Sequence, residues 1–287
     1  MIRELISTIR PKQWYKNLVV FVAIFFSGNI FNLPMLEQVI IGFVSLCIIS
    51  SASYILNDIV DAKADRCHDK KKLRPIASGA LSVPVAAVFA ILLYISGFVL
   101  GSFVSTEFLL AGSLLVILTM SYTFYFKNIA FADIALLSSN FMVRAVAGAI
   151  AISVSISPWL LLGTYLMALF LSTSKRKADL DSLMNKAKDY KKVFEIYTSE
   201  LLNTFLLMAG ISLFITYCLY SFLGIAVHSL YLMATIPIVF FLIFRYYYFA
   251  TTKSDIARNP ERVFTDKQMV VGMLLWFIIF FISIYIL

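Results

Sequence analysis

The chain has 287 residues, of which 61% are hydrophobic and only 14% charged, with a formal net charge of +8. Soluble domains carry about 25% charged and 45–50% apolar residues, so this composition excludes a water-soluble domain and describes a membrane protein. The excess of base does not describe a nucleic-acid binder either, because its placement follows membrane topology.

Nine stretches are apolar enough to cross a bilayer as helices, at about 18–33, 36–56, 83–104, 108–126, 131–153, 158–174, 201–223, 229–249 and 268–287. The runs are continuously apolar and do not alternate, which favours helices over a barrel. The first run leads straight to the second without a small-residue cleavage site, so no secretory signal is expected. Apart from Arg144, every Lys and Arg lies before the first span or in the loops 57–82, 127, 175–200 and 245–267. The intervening loops and the C-terminus hold none. This positive-inside pattern predicts a cytoplasmic N-terminus, an external C-terminus and an odd number of spans. No linker separates soluble domains, so 1–287 is expected to form a single transmembrane domain with two long cytoplasmic loops, 57–82 and 175–200. Each of these follows a span, four helices apart, which hints at a duplicated helical unit. The cysteines carry no disulfide or zinc spacing: Cys47 and Cys218 lie inside spans and Cys67 in the first long loop.

That loop begins NDIVDAKADRCHDKKKLRPIASG (57–79), the most polar stretch of the chain. Asp58, Asp61 and Asp65 stand at i, i+3 and i+7, on one face of a helix continuing out of the second span, with Asn57 at the edge of the stripe. Stacked acids repel one another, and at a helix C-terminus they also oppose the macrodipole. A solvated helix end balanced by Lys63 and Arg66 is the ordinary reading. A cluster of hard oxygen ligands also suits Mg²⁺, which prefers a few carboxylates plus substrate phosphates. Lys71 and Arg74 follow closely, and acids for a metal beside bases for phosphate oxygens make a diphosphate–metal site. His68 has no second histidine nearby and is read as solvated or as a phosphate hydrogen-bonder.

NDIVDAKAD resembles the NDxxDxxxD motif of the UbiA-type membrane prenyltransferase superfamily, and the likeness runs over most of the chain. It implies an all-helical bundle around a central cavity opening to the cytoplasm, with aspartate-rich helix ends that bind Mg²⁺ and a substrate diphosphate. RPKQWYKN (10–17), HDKKKLRPIASG (68–79), NFMVRAVAGAIA (140–151), SKRKADL (174–180) and FEIYTSELL (194–202) resemble the branch of decaprenyl-phosphate phosphoribosyltransferases. Asp69 departs from that branch, which usually has proline there.

The branch implies transfer of 5-phosphoribose from 5-phosphoribose 1-diphosphate to a polyprenyl phosphate, with Mg²⁺ as cofactor and no nucleic-acid partner. Asp58, Asp61 and Asp65 would be the catalytic carboxylates and, with Asn57, the metal set. Prenyl-transferring relatives carry a second pair of acids, four apart, after the sixth span. Here Asp179 and Asp181 are two apart, on different helix faces, and the loop opens with Lys175-Arg176-Lys177. Substrate phosphates would fall to Lys16, Asn17, Lys71, Arg74, Lys127, Arg144, Lys175 and Arg176. Lys12 stays open between phosphate binding and anchoring at the interface. Tyr122 stays open because its spacing to Lys127 is one residue longer than the YxxxK of many relatives. Arg144 lies eleven residues past Asp133, roughly 16 Å along the fifth span. At that depth it serves either the substrate or a structural network, for instance as partner to Asp133.

Two other functions compete. An intramembrane prenyltransferase moving a prenyl group to an aromatic or glycerol-phosphate acceptor would want the missing second acid pair. A carrier would want its acids near the midplane on broken helices, whereas these sit at a helix end.

Overall fold

The computed structural model describes residues 2–66, 71–183, 192–223, 229–252 and 255–286. Cys67, His68 and Asp69 lie outside the described residues, as do residues 184–191 of the second long loop. Among the described residues every regular element is helical. The chain divides into two compact units, Met1–Phe124 with Val143–Ile156, and Tyr125–Met142 with Ser157–Leu287.

The first unit opens with α1 (Ile2–Thr8), a 3₁₀ stretch (Pro11–Phe21) and α2 (Val22–Phe26). The apolar run 18–33 is therefore not one long α-helix. It ends at a turn where Gly28 takes a φ of 74°, a conformation that costs glycine nothing. The long helix α3 (Leu33–Arg66) follows, then α4 (Val83–Ser102) and α5 (Thr106–Phe124). Close approach of α4 to α3 needs a missing side chain at Gly97, where a Cβ would stand 2.7 Å from Ile49. Ser45 Oγ donates to the Gly97 carbonyl at 2.8 Å beside it, satisfying a hydroxyl that lipid could not.

At the end of α3 a small core gathers Ile55, Ala62, Ile76, Leu81, Ala86 and Ala90. Ile76 and Leu81 come from the loop, so burying them folds the basic loop back onto the helix that carries the acids. The division between the units falls within α6 (Ala132–Ala151), whose last residues belong to the first unit.

The second unit holds the start of α6, then α7 (Pro158–Leu183), α8 (Ser199–Leu223), α9 (Ser229–Met233), α10 (Ile236–Thr251), α11 (Asp255–Arg258) and α12 (Lys267–Tyr285). Its core joins Phe170 and Ala178 of α7 to Leu206 and Ala209 of α8, Tyr246, Phe249 and Ala250 of α10, and Met269 of α12. Asp266 caps α12, accepting from Met269 N–H at 2.8 Å and from both Nε and Nη2 of Arg245 at 2.7 and 2.6 Å.

Among the described residues seven helical runs are long and apolar enough to cross a membrane: α3, α4, α5, α6, α8, Tyr231–Thr251 and α12. Ile91, Leu92, Ile95 and Val99 of α4, each more than half exposed, form the kind of face that lipid covers. Of the nine expected spans, 18–33 and 158–174 are not among the seven. The former is broken as described. The latter is the front of α7, which dilutes its apolar run with Thr and Ser before the charged SKRKADLD turns.

Candidate active site

α3 is 34 residues long, about 51 Å at 1.5 Å per residue, against a hydrocarbon core of roughly 30 Å. It is long enough to cross that layer and extend beyond it, and its last turns carry the acid stripe as a helix, as the spacing predicts. Asp58 and Asp65 are each only 3% exposed. Burying two carboxylates without partners would be prohibitive, and the structure supplies three cations.

Arg74 Nη1 lies 3.0 Å from Asp58 Oδ1 and 2.6 Å from Asp65 Oδ2, one nitrogen between two acids. Arg10 Nη2 donates to the same Asp58 oxygen. Lys71 Nζ approaches Asp65 Oδ1 at 3.9 Å, and burial, partly offset by that carboxylate, pulls the Lys71 ammonium below the usual lysine range. Asp61 is half-buried and accepts from Asn57 Nδ2 at 3.2 Å, while Asn57 Oδ1 accepts from Thr123 at 3.2 Å.

Local structure explains how these cations arrive. The Arg74 carbonyl accepts from Ser78 N–H at 2.9 Å, Gly79 turns the chain with a φ of 82°, and Arg66 Nε ties the loop to α3 through the Ala77 carbonyl at 3.1 Å. Arg10 itself adopts a left-handed backbone, φ 51°, immediately before Pro11. Ser51 Oγ holds the neighbouring Ile9 carbonyl at 2.9 Å and accepts from Trp14 Nε1 at 3.1 Å. Ser51, Tyr54 and Asp58 share one face of α3, so the tethered segment lays the Arg10 guanidinium 5.4 Å over the Tyr54 ring and against Asp58.

Asn17 and Arg144, each expected to serve substrate phosphate, also lie in this unit. Both are buried, and Arg144 Nε donates to Asn17 Oδ1 at 2.7 Å. Asn17 Nδ2 in turn donates to Cys47 Sγ at 3.3 Å. The N-terminal motif thus supplies one partner of Arg144, while Asp133 is engaged within the second unit. Gly148, one turn further along α6, has no room for a side chain, because a Cβ there would run into the Val20 carbonyl. Lys12 is exposed, Lys16 half-buried, and Tyr122 sits half-buried near the end of α5.

In the second unit Asp133 is fully buried and takes Arg176 Nε at 2.6 Å and the Tyr197 hydroxyl at 2.7 Å. That hydroxyl also accepts from Phe131 N–H at 2.6 Å, pinning a residue with a φ of 69°. Burial first, and then the hydrogen bond to Asp133, push the Tyr197 phenol well above its ordinary range. Asp179 pairs with Arg258 at 3.3 Å and Asp181 with Lys177 at 2.7 Å. The two acids therefore point apart, each toward its own cation. Lys175 is exposed, and Lys127 lies half-buried in the 3₁₀ turn Phe126–Asn128.

Among the described residues no three His, Cys, Asp or Glu side chains converge as a metal-binding group. Two carboxylates do converge, however, on a single cationic nitrogen. Arg74 Nη1 marks a position where a cation is held by Asp58 and Asp65 together, and Mg²⁺ commonly takes one or two carboxylates and completes its shell with water and substrate phosphate. The donor set fits that ion.

Among the described residues are helices long and apolar enough to cross a membrane, one of which ends in an acid stripe met by a basic loop. The chain belongs to the UbiA prenyltransferase family, whose model matches residues 17–278. It is 32% identical over 98% of its length, and 87% of the relative's, to a decaprenyl-phosphate phosphoribosyltransferase of Corynebacterium glutamicum. A second enzyme of that name, from Mycolicibacterium smegmatis, is 29% identical over 96% of this chain and 91% of the relative. A UbiA homologue from Archaeoglobus fulgidus, solved with GPP and Mg²⁺, superposes with a TM-score of 0.74 over 98% of this chain and 99% of that one at 16% identity, which establishes the fold.

Two residues of these networks, Arg10 and Tyr197, carry no local signal in the sequence. Arg10 opens the RPKQWYKN motif, but nothing local marks it as the partner of an acid 48 positions away. Tyr197 lies within FEIYTSELL, where a tyrosine looks like any core aromatic.

Proposed function

We propose that this protein transfers 5-phosphoribose from 5-phosphoribose 1-diphosphate to a polyprenyl phosphate, in the cell membrane and from the cytoplasmic side. The observation that carries the reading is the carboxylate–guanidinium site Asp58–Arg74–Asp65, in a chain 32% identical over 98% of its length to a decaprenyl-phosphate phosphoribosyltransferase. A phosphate oxygen of the lipid attacks C1 of the ribose. The bond from C1 to the diphosphate oxygen breaks, diphosphate leaves with the electron pair, and a phosphodiester-linked ribose 5-phosphate remains on the lipid.

Asp58 and Asp65, with Asp61 and Asn57 beside them, would hold Mg²⁺, which supplies charge stabilisation at the leaving diphosphate. Arg74 and Lys71 stand next to those acids and would take phosphate oxygens, the charge-assisted contacts that guanidinium and ammonium groups make best. No protein nucleophile is needed. Lys16, Lys127 and Lys175 are further candidates for the two additional phosphates, one on the donor and one on the acceptor. Arg144 and Arg176 are engaged by Asn17 and Asp133 and would act through those networks.

We place all nine expected spans in the bilayer, with the 3₁₀ stretch and α2 forming the first and the front of α7 the sixth. The cytoplasmic N-terminus and external C-terminus follow from the distribution of Lys and Arg.

Prenyl transfer is the second reading, favoured by the GPP-bound structural relative. The pairing of Asp179 and Asp181 with separate cations weighs against a second acid-held metal in this chain. A paired assay on purified protein separates the two. One arm receives Mg²⁺, polyprenyl phosphate and labelled phosphoribosyl diphosphate, and the other a labelled prenyl diphosphate with candidate acceptors. Ribose label entering the lipid phase and lost on adding EDTA is the expected result. Prenyl transfer alone would replace the proposal.

A further inference from the structure

We infer that Arg10 and Arg74 are built-in counter-ions that make cation binding at Asp58 and Asp65 conditional on an accompanying anion. The inference rests on the metal–diphosphate reading of the acid stripe and adds to it the order in which charge can enter the site.

Asp58 and Asp65 are nearly buried, and three cationic side chains already face them: Arg10 and Arg74 on Asp58, Arg74 and Lys71 on Asp65. A divalent cation arriving alone would have to share these oxygens with guanidinium groups a few ångströms away, in a setting where water screens poorly. Like charges crowded in this way oppose binding as strongly as a well-placed opposite charge favours it. A diphosphate brings the missing negative charge. Its oxygens offer Arg10 and Arg74 planar, bidentate partners of the kind guanidinium prefers, leaving the carboxylates to the metal. The site therefore takes metal and diphosphate together.

The backbone supports a dedicated role for Arg10. A non-glycine residue held at φ 51° before proline is strained, and here it is stapled in place through Ile9 and Trp14 to Ser51. Stacking over Tyr54 keeps the guanidinium at Asp58 when its ionic partner changes. A residue serving only to neutralise a helix end would need none of this apparatus, since Lys63 and Arg66 already sit in that turn of α3.

The test is equilibrium dialysis of the purified full chain in detergent with Mn²⁺ as probe, with and without excess inorganic diphosphate, which distributes freely across the dialysis membrane. Wild type should bind Mn²⁺ roughly tenfold more tightly, or better, when diphosphate is present. Arg10→Gln should bind Mn²⁺ alone about tenfold more tightly than wild type, with a smaller further gain from diphosphate, because Arg74 and Lys71 still face the acids. Arg10→Lys, which keeps the charge, should retain the dependence on diphosphate, and Asp58→Asn should lose Mn²⁺ in every arm. Wild type binding Mn²⁺ equally well with and without diphosphate would overturn the inference while leaving the metal site standing. Should no arm bind Mn²⁺, the metal reading of the stripe would fall and the inference with it. The wild-type comparison decides the matter even if Arg10→Gln does not fold.

Discussion

Arg144 Nε donates to Asn17 Oδ1 at 2.7 Å, joining α6 to the RPKQWYKN motif near the start of the chain. Both side chains are buried, so the guanidinium relies on this amide as one of its protein partners. The contact ties RPKQWYKN to NFMVRAVAGAIA, two of the stretches that carry the family resemblance. Asn17 also reaches Cys47, and Ser50 Oγ lies 3.4 Å from Asn17 Oδ1, so α3 is drawn into the same network.

Asn17→Ala should destabilise the protein by about 1–3 kcal/mol, the cost of leaving a buried polar group short of a partner. Arg144→Met should destabilise as well, and the double variant should lose less than the two single losses combined, giving a coupling of about 0.5–3 kcal/mol. Unfolding of the four proteins in detergent measures the cycle. Strict additivity would mean that the hydrogen bond contributes nothing.

Asp58→Asn, Asp61→Asn and Asp65→Asn should each reduce Mg²⁺-dependent transfer by roughly 10²-fold or more, the scale on which removing one electrostatic stabiliser acts. Their effects on the metal-free protein should differ. Asp58→Asn and Asp65→Asn strip Arg74 of a carboxylate and should lower the unfolding temperature in EDTA more than Asp61→Asn, whose carboxylate accepts from Asn57. Near-normal turnover in two of the three would make the stripe a structural ion-pair network and not a metal site.

Tyr197 should give the protein an alkaline dependence of stability. Its folded pKa lies above the ordinary tyrosine value near 10. The contribution is therefore complete below that value, where the phenol is protonated in both folded and unfolded chains. Above it the unfolded chain loses the proton first, and stability falls as pH rises toward the folded pKa. The difference in unfolding temperature between wild type and Tyr197→Phe should be constant below about pH 9 and shrink above about pH 10. A difference that stayed flat to pH 11 would show that the hydroxyl is ordinary.

Asp266→Ala removes both the cap of α12 and the carboxylate that Arg245 grips with two bonds. A lost N-cap typically costs about 0.5–2 kcal/mol, and Asp266→Asn, which still caps, should recover part of it. Equal losses in the two variants would assign the whole effect to the ion pair.

The chain by itself determines the setting of the chemistry. Continuous apolar runs make membrane helices because no other unpaired backbone survives in lipid. The positions 58, 61 and 65 fall on one helix face because 3.6 residues make a turn. The placement of the bases predicts which side of the membrane the loops occupy. Each of these rests on local regularity, so it can be read without knowing what lies across from it.

What only the tertiary structure decided is which charge meets which. Arg10 reaches Asp58, Arg144 reaches Asn17, and Arg176 takes Asp133, the acid that sequence reading offered to Arg144. These partners are 48, 127 and 43 residues apart, and no periodicity links them. The rotation of each helix about its axis and the fold of each loop select them. Those in turn follow from contacts at a few ångströms: Ile76 and Leu81 packing into the core at the end of α3, Gly148 against Val20, Ser51 on Ile9. An ion pair depends on distance in space, and in a helical membrane protein that distance is set by packing and not by order along the chain.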